Sequence, residues 1–182
     1  MRIVVSGTHA SGKSTLISDL VDLDPRVETL GDPYDDVEGG LFEVGPGLFV
    51  AQFEVAADRL LALDPGRRVI AERGPLDLLA YLAALAELGR SAGATATVRR
   101  LAPHAAEAMR HVDLVVLVTL DPQREIWVDQ EEDPDLRDAM EACLVELLDD
   151  PDLVGVVPVV EVAGDRRARV AQVQQAIARL AP

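Results

Sequence analysis

A glycine-rich stretch near the start of the chain has the residue types and spacing of a phosphate-binding loop. It fits the pattern G-x-x-x-x-G-K-[ST], and its residues are Gly7, Thr8, His9, Ala10, Ser11, Gly12, Lys13 and Ser14, followed directly by Thr15. Glycines let backbone N–H groups converge on a β-phosphate at a helix N-terminus. In this pattern the lysine reaches between the β- and γ-phosphates, and the hydroxyl of Ser14 binds Mg²⁺. The stretch therefore predicts a site for a magnesium-bound nucleoside triphosphate.

The composition also indicates a specific role for Lys13. It is the only lysine in the chain, and arginine supplies every other of the 17 basic side chains. A chain that uses arginine wherever charge alone suffices is expected to need lysine at this one position. We therefore expect that arginine cannot replace Lys13.

The charge of the chain restricts its partners. The 182 residues include 17 Lys and Arg against 32 Asp and Glu, a net charge of −15. Nucleic acids and anionic membranes need clusters of basic side chains, so we expect neither as a partner. A triphosphate would be held by local charge and backbone dipoles, which predicts a strong dependence on Mg²⁺.

Several absences narrow the class of protein. The chain has no asparagine, so it lacks the guanine-reading motif of regulatory GTPases and the catalytic loop of protein kinases. Its single cysteine, Cys143, cannot form an intramolecular disulfide, and no leader pattern precedes the first apolar run. The longest apolar stretch, residues 76–88, falls short of the ~20 residues of a membrane span. These features favour a cytoplasmic location.

The elements that would position the loop alternate between strands and helices. Strands are predicted at 2–6, 27–31, 69–71, 113–120 and 156–162, and helices at 16–23, 48–63, 75–88, 98–111, 136–149 and 166–180. Such alternation specifies parallel strands joined by right-handed crossovers. We therefore predict one α/β domain over residues 1–182, a doubly wound parallel sheet with helices on both faces.

Two segments in this order resemble a known family. GTHASGKST after the first strand and AERGPLDLLAYL at the end of the third resemble the small P-loop kinases of nucleosides and nucleotides. Within this group the similarity is to deoxynucleoside kinases, ribosylnicotinamide kinases and their ATPase-like relatives. It spans nearly the whole chain and implies the P-loop NTPase fold, with five parallel strands in the order 2-3-1-4-5.

The resemblance also implies roles for the residues after the third strand. Glu72 would hold the water shell of Mg²⁺, and Arg73 would contact the transferring or acceptor phosphate oxygens. Asp121, after the fourth strand, is the competing candidate for the carboxylate that holds Mg²⁺, although it equally fits a helix start. We favour Glu72, while a plain surface ion pair stays open for Glu72 and Arg73.

An acceptor site is implied at about residues 32–60. Asp32 occupies the position of a glutamate that takes the acceptor hydroxyl's proton in deoxynucleoside kinases, which makes it our candidate base. Asp before Pro is equally typical of a turn cap, and Asp35 and Asp36 are competing candidates.

Aromatic and amide side chains in the same region are candidates for acceptor contacts. Tyr34 and Phe42 would contact the acceptor, and Gln52 matches a base-reading glutamine of the deoxynucleoside kinases. Phe49 and Phe53, spaced four apart on a helix, are expected to lie in the core, and a stacking platform for the acceptor is the alternative.

Two further segments are expected to close on the donor nucleotide. Residues 121–137 match the lid, where Arg124 would stabilise transition-state charge, yet this segment is strongly acidic. The acidity disfavours efficient transfer or indicates a cationic acceptor, and a solvated loop without a role is the alternative. Gly164 and Asp165, after the fifth strand, match a backbone cradle for adenine or form a plain turn.

Taken together, these features predict an ATP- and Mg²⁺-dependent kinase that phosphorylates a hydroxyl of a nucleoside-like or other small metabolite. The alternative is a regulatory ATPase that switches conformation for a protein partner. The chain is too short for an AAA-type motor with a helical lid domain. Helices 75–88 and 98–111 also allow a homodimer, unless the same faces cover the sheet.

Overall fold

Five parallel strands form one sheet in the computed structural model, which describes residues 1–37, 45–120 and 133–180. The strands are β1 (Arg2–Ser6), β2 (Glu28–Leu30), β3 (Val69–Glu72), β4 (Leu114–Val118) and β5 (Val159–Val162). Their order is β2-β3-β1-β4-β5, and every neighbouring pair is parallel. The predicted α/β fold and strand order are confirmed.

The helices follow the predicted alternation with shifted ends. They are α1 (Lys13–Leu23), α2 (Pro46–Leu61), α3 (Pro75–Glu87), α4 (Ala94–Met109), α5 (Pro134–Asp149), α6 (Pro151–Val154) and α7 (Arg166–Leu180). The sequence analysis missed α6, a single turn that starts where Asp150 accepts a hydrogen bond from the N–H of Asp152, 2.9 Å away. Helix α4 contains Pro103 and begins four residues earlier than predicted.

Both faces of the sheet are covered. Along β1, Val4 packs into the apolar layer formed with α2 to α6, while Ile3 and Val5 pack into the layer formed with α1 and α7. This alternation follows from the two-residue period of a strand. Since both faces are buried, ligands can approach only at the edge of the sheet where the strands end.

Helix α3 is the most deeply buried helix of the described residues. Ten of its 13 residues are buried beneath α2, α4 and α5. Its apolar faces are therefore used within the chain, and a homodimer stays a prediction. No described helix is both long and apolar enough to cross a membrane.

Candidate active site

The phosphate-binding loop connects the end of β1 to the start of α1. Gly7 has φ +144°, and a Cβ there would lie 2.5 Å from the carbonyl oxygen of Val118 and 2.9 Å from Oγ of Ser11. Gly12 has φ +94° and directly precedes α1. Both glycines of the motif adopt conformations that L side chains rarely take, so the loop requires them.

Substitution of Gly7 by alanine is expected to abolish nucleotide binding and to lower the unfolding temperature. The added methyl group meets the β4 backbone, which cannot move without breaking the sheet. Gly66→Ala is a matched control, because Gly66 also has positive φ but a Cβ there would meet nothing within 4 Å. Thermal unfolding and calorimetric titration with Mg-ADP check both variants. Equal effects of the two substitutions would contradict the close packing of Gly7.

Lys13 is only 4% exposed, and its side chain contacts the backbone of its own loop. Its Nζ donates a hydrogen bond of 2.7 Å to the carbonyl oxygen of Thr8. Burial, and next the charge of Arg73, lower the pKa of Lys13 to about 8, although nearby carboxylates partly oppose this. A poorly solvated ammonium in a loop of backbone N–H groups favours an anion as its partner.

Ser14 and Glu72 meet at the mouth of the loop. The hydroxyl of Ser14 donates a hydrogen bond of 2.7 Å to Oε1 of Glu72. Parallel pairing brings them together, because Val5 of β1 lies opposite Glu72 of β3. A hydroxyl and a carboxylate are the hard oxygen ligands that suit Mg²⁺. The rival Asp121 lies outside the described residues.

Arg73 and Asp32 form an ion pair beside the loop, in which Arg73 is buried and Asp32 is partly exposed. Arg73 is 7% exposed, has φ +62°, and donates from Nε to Oδ2 of Asp32 at 2.7 Å. Its guanidinium carbon lies 5.4 Å from the ring centroid of Tyr81. Oδ1 of Asp32 accepts a hydrogen bond of 3.0 Å from the N–H of Tyr34 and so caps a short 3₁₀ helix. Asp32 is thus a turn cap, and its role as a base stays a prediction.

An aromatic pair lies next to this ion pair. Phe49 stacks on Tyr81 with ring centroids 4.7 Å apart and planes 4° apart. Phe49 and Phe53 belong to the core, as the sequence predicted. Gln52 of α2 is also buried, whereas Tyr34 is half exposed. Phe42 lies outside the described residues.

Tyr81 and Asp77 are the main site residues that the sequence analysis missed. Asp77 is fully buried. It accepts hydrogen bonds from the hydroxyl of Ser6 at 2.7 Å and from the N–H groups of Gly7 and Gly74, both at 2.9 Å. A signal was present, because Asp77 interrupts an apolar helix and a buried carboxylate is rare unless paired.

The turn after β5 leads into α7, and that helix contacts the phosphate-binding loop. Gly164 has φ +91°, and Oδ1 of Asp165 accepts a hydrogen bond of 2.8 Å from the N–H of Ala168 in α7. From the same helix, Arg169 donates to the carbonyl oxygen of Ser11 at 2.8 Å. Asp165 therefore acts as a helix cap, and its contact with adenine stays a prediction.

Most of the predicted lid, residues 121–132, lies outside the described residues. Arg124 is among the residues that are not described, and residues 134–137 form the first turn of α5. The roles predicted for Arg124 and the lid stay predictions.

Comparison with known proteins finds one matching family model and solved structures of similar fold. A family model described as an AAA domain matches residues 2–169. The fold is similar to that of deoxyadenosine kinase from M. mycoides with products dCMP and dCDP bound, at 13% identity, TM-score 0.71 and full coverage of both chains. It is also similar to thymidylate kinase from Candida albicans, at 20% identity and TM-score 0.69, covering 98% of this chain and 91% of that one. No curated protein shows significant sequence similarity to this chain. The predicted resemblance and the P-loop NTPase fold are confirmed.

Proposed function

From the premise that the chain belongs to the AAA domain family, and from the geometry of its site, we propose that it is an ATP- and Mg²⁺-dependent kinase. Its acceptor is a hydroxyl of a nucleoside-like or other small metabolite. One observation carries the proposal: a phosphate-binding loop, a hydroxyl–carboxylate pair on the metal side and a partly buried carboxylate–arginine pair lie along one edge of the sheet. Ser14 and Glu72 supply the metal-side pair, and Asp32 and Arg73 supply the other.

The loop provides the donor side of the reaction. Its backbone N–H groups and Lys13 bind the β- and γ-phosphates of ATP. Ser14 and Glu72 would hold Mg²⁺, which when bound supplies positive charge to the phosphate oxygens. Among the described residues, no group of three or more His, Cys, Asp or Glu could hold a metal. The two oxygen ligands therefore act together with the phosphates of the nucleotide.

Asp32 and Arg73 provide the acceptor side. The acceptor oxygen forms a bond to the γ-phosphorus while the bond to the β–γ bridging oxygen breaks, and ADP leaves. The hydroxyl proton passes to Asp32, and Arg73 stabilises charge on the transferring group. Each oxygen of Asp32 accepts one hydrogen bond, and its second lone pair is left for the acceptor hydroxyl.

Charge favours an acceptor without phosphate. Near Asp32, each arginine of the described residues has another role: Arg73 pairs with Asp32 and serves the transferring group, while Arg59 pairs with Asp36 and donates to the carbonyl of Gly31 at 2.8 Å. By sequence, residues 38–44 contain no basic residue, and Arg124 is the only one in 121–132. A phosphorylated acceptor needs free cationic side chains, so a neutral or cationic compound fits better.

ADP release from Mg-ATP across a panel of nucleosides, amino sugars and nucleoside monophosphates tests this function. We expect one class of uncharged or cationic hydroxyl compounds to stimulate release at least about tenfold, and the Lys13→Ala variant to lose the effect. Stimulation by nucleoside monophosphates alone would contradict the charge argument. A flat response to every compound would contradict a kinase of this class.

The alternative is a regulatory ATPase that acts on a protein partner. One observation favours it: Asp32 caps a 3₁₀ helix and pairs with Arg73, and these contacts suit a structural role. Tight nucleotide binding with slow hydrolysis that no small molecule changes is the result expected of this alternative.

A further inference from the structure

We propose that Asp77 is a positioning residue of the nucleotide site, and that its carboxylate joins the start of the phosphate-binding loop to the turn that carries Glu72 and Arg73. The inference rests on the proposed function in one respect only, that the loop binds a nucleotide. It does not depend on which acceptor is phosphorylated.

A single carboxylate joins two segments that are far apart in sequence. Oδ1 of Asp77 accepts from the N–H of Gly7, while Oδ2 accepts from the N–H of Gly74 and the hydroxyl of Ser6. Gly7 begins the loop, and Gly74 directly follows Arg73. The position of the loop relative to the Glu72–Arg73 turn is therefore set by atoms of one side chain.

The two segments also pack directly against each other. A Cβ at Gly74 would lie 2.9 Å from Cγ1 of Val4, so this turn lies against β1 with no room for a side chain. Glycine at position 74 permits the close approach, and Asp77 then bonds to both segments.

The chemistry of the site requires a carboxylate at position 77. All three partners of Asp77 are donors, and an ionised carboxylate is an acceptor without a proton to place. An asparagine amide would direct its NH₂ group at one of the donors and leave a backbone N–H unpaired in a buried place. The carboxylate also attracts the buried cations Lys13 and Arg73, which offsets its own desolvation.

Calorimetric titration of Asp77→Asn with Mg-ADP tests the inference. The variant has nearly the same shape, but one anchor of the loop is lost. We expect Mg-ADP to bind at least about tenfold more weakly, because the loop then spends only part of its time in the binding conformation. The measurement is made well below the unfolding temperature of each variant, so that all of the protein is folded.

Arg2→Ala is the matched control. Arg2 lies at the opposite end of β1 and pairs with Asp113 at 2.8 Å, remote from the loop. Its removal is expected to lower the unfolding temperature without changing affinity for Mg-ADP. If Asp77 had a merely structural role, Asp77→Asn would behave in the same way, and this result would overturn the proposal.

The remaining outcomes are equally decisive. Tighter binding by Asp77→Asn would show that the carboxylate only repels the phosphates, and would overturn positioning. If that variant does not fold, Ser6→Ala removes one of the three bonds, and an affinity two- to threefold weaker than wild type is expected; an unchanged affinity would overturn the inference. Wild-type protein that binds no Mg-ADP would refute the proposed nucleotide site and the inference with it. Unaltered binding by a folded Asp77→Asn variant refutes the inference alone.

Discussion

Lys13→Ala protein is expected to fold and to show nucleotide turnover reduced by about 10²- to 10³-fold, the loss typical when one preorganised donor to developing charge is removed. Its affinity for Mg-ATP should fall as well, since Lys13 is the cation within the loop. The side chain is 4% exposed and its Nζ now bonds only to the carbonyl of Thr8 among the described contacts. Steady-state ADP release and calorimetric titration with Mg-ATP measure the two effects.

The stability of the Lys13→Ala variant has a predicted sign. Burial lowers the pKa of Lys13 to about 8, so the folded protein binds this proton less tightly than the unfolded chain does. Below pH 8 the buried ammonium therefore destabilises the fold, and its removal should leave the unfolding temperature at pH 7 unchanged or higher.

Lys13→Arg is the informative companion variant. It keeps the positive charge, but a longer planar guanidinium must enter a buried position that fits an ammonium. We expect it to be nearly as inactive as the alanine variant, in agreement with the use of arginine at every other basic position. Wild-type turnover in Lys13→Ala would refute the assignment of the loop.

Asp32→Asn protein is expected to lose acceptor phosphorylation by about 10²- to 10⁴-fold, the range that a general base contributes. Mg-ATP should bind as in the wild type, because Asp32 does not belong to the phosphate-binding loop. The amide oxygen can still accept from the N–H of Tyr34, so the 3₁₀ helix keeps its cap. Calorimetric titration with Mg-ATP and acceptor-dependent ADP release separate the two effects.

Asp36→Asn is a control of the same size and charge change. Asp36 lies four residues further on, and its carboxylate pairs with Arg59. We expect this variant to retain most of its acceptor-dependent activity. An unaffected rate in Asp32→Asn would exclude Asp32 as the base, and Asp35, Asp36 and Glu72 would become the candidates.

Much of the fold was predictable because its signals are local. The apolar run of β1, the glycine spacing of the loop and the start of α1 lie within 23 residues of chain. Alternation of strands and helices then implies parallel pairing. Each crossover helix carries the chain back to the end of the sheet where the preceding strand began, so the next strand runs in the same direction. The order of the strands came from the family resemblance, because periodicity alone does not say which strands are neighbours.

The candidate site also has a part that the sequence predicted and a part that it did not. Lys13, Ser14 and the two glycines of the loop were predictable because the motif itself specifies their chemistry. The ion pair of Asp32 with Arg73 spans 41 residues, and the motif says nothing about it. Whether Asp32 caps a turn or faces an acceptor depends on side-chain direction, which sequence spacing does not determine.

The sequence by itself determined a loop with the phosphate-binding motif at the edge of an α/β sheet, because the signals for the motif, the strands and the helices lie in short stretches of chain. Only the tertiary structure decided that Asp77 bonds to Gly7 and Gly74, that Tyr81 stacks on Phe49, and that Arg169 reaches Ser11. These contacts join residues on different elements. They form because β1, β3 and the ends of the surrounding helices converge at one edge of the sheet. A buried polar group there needs a hydrogen-bond partner, and the partner comes from whichever segment lies close enough.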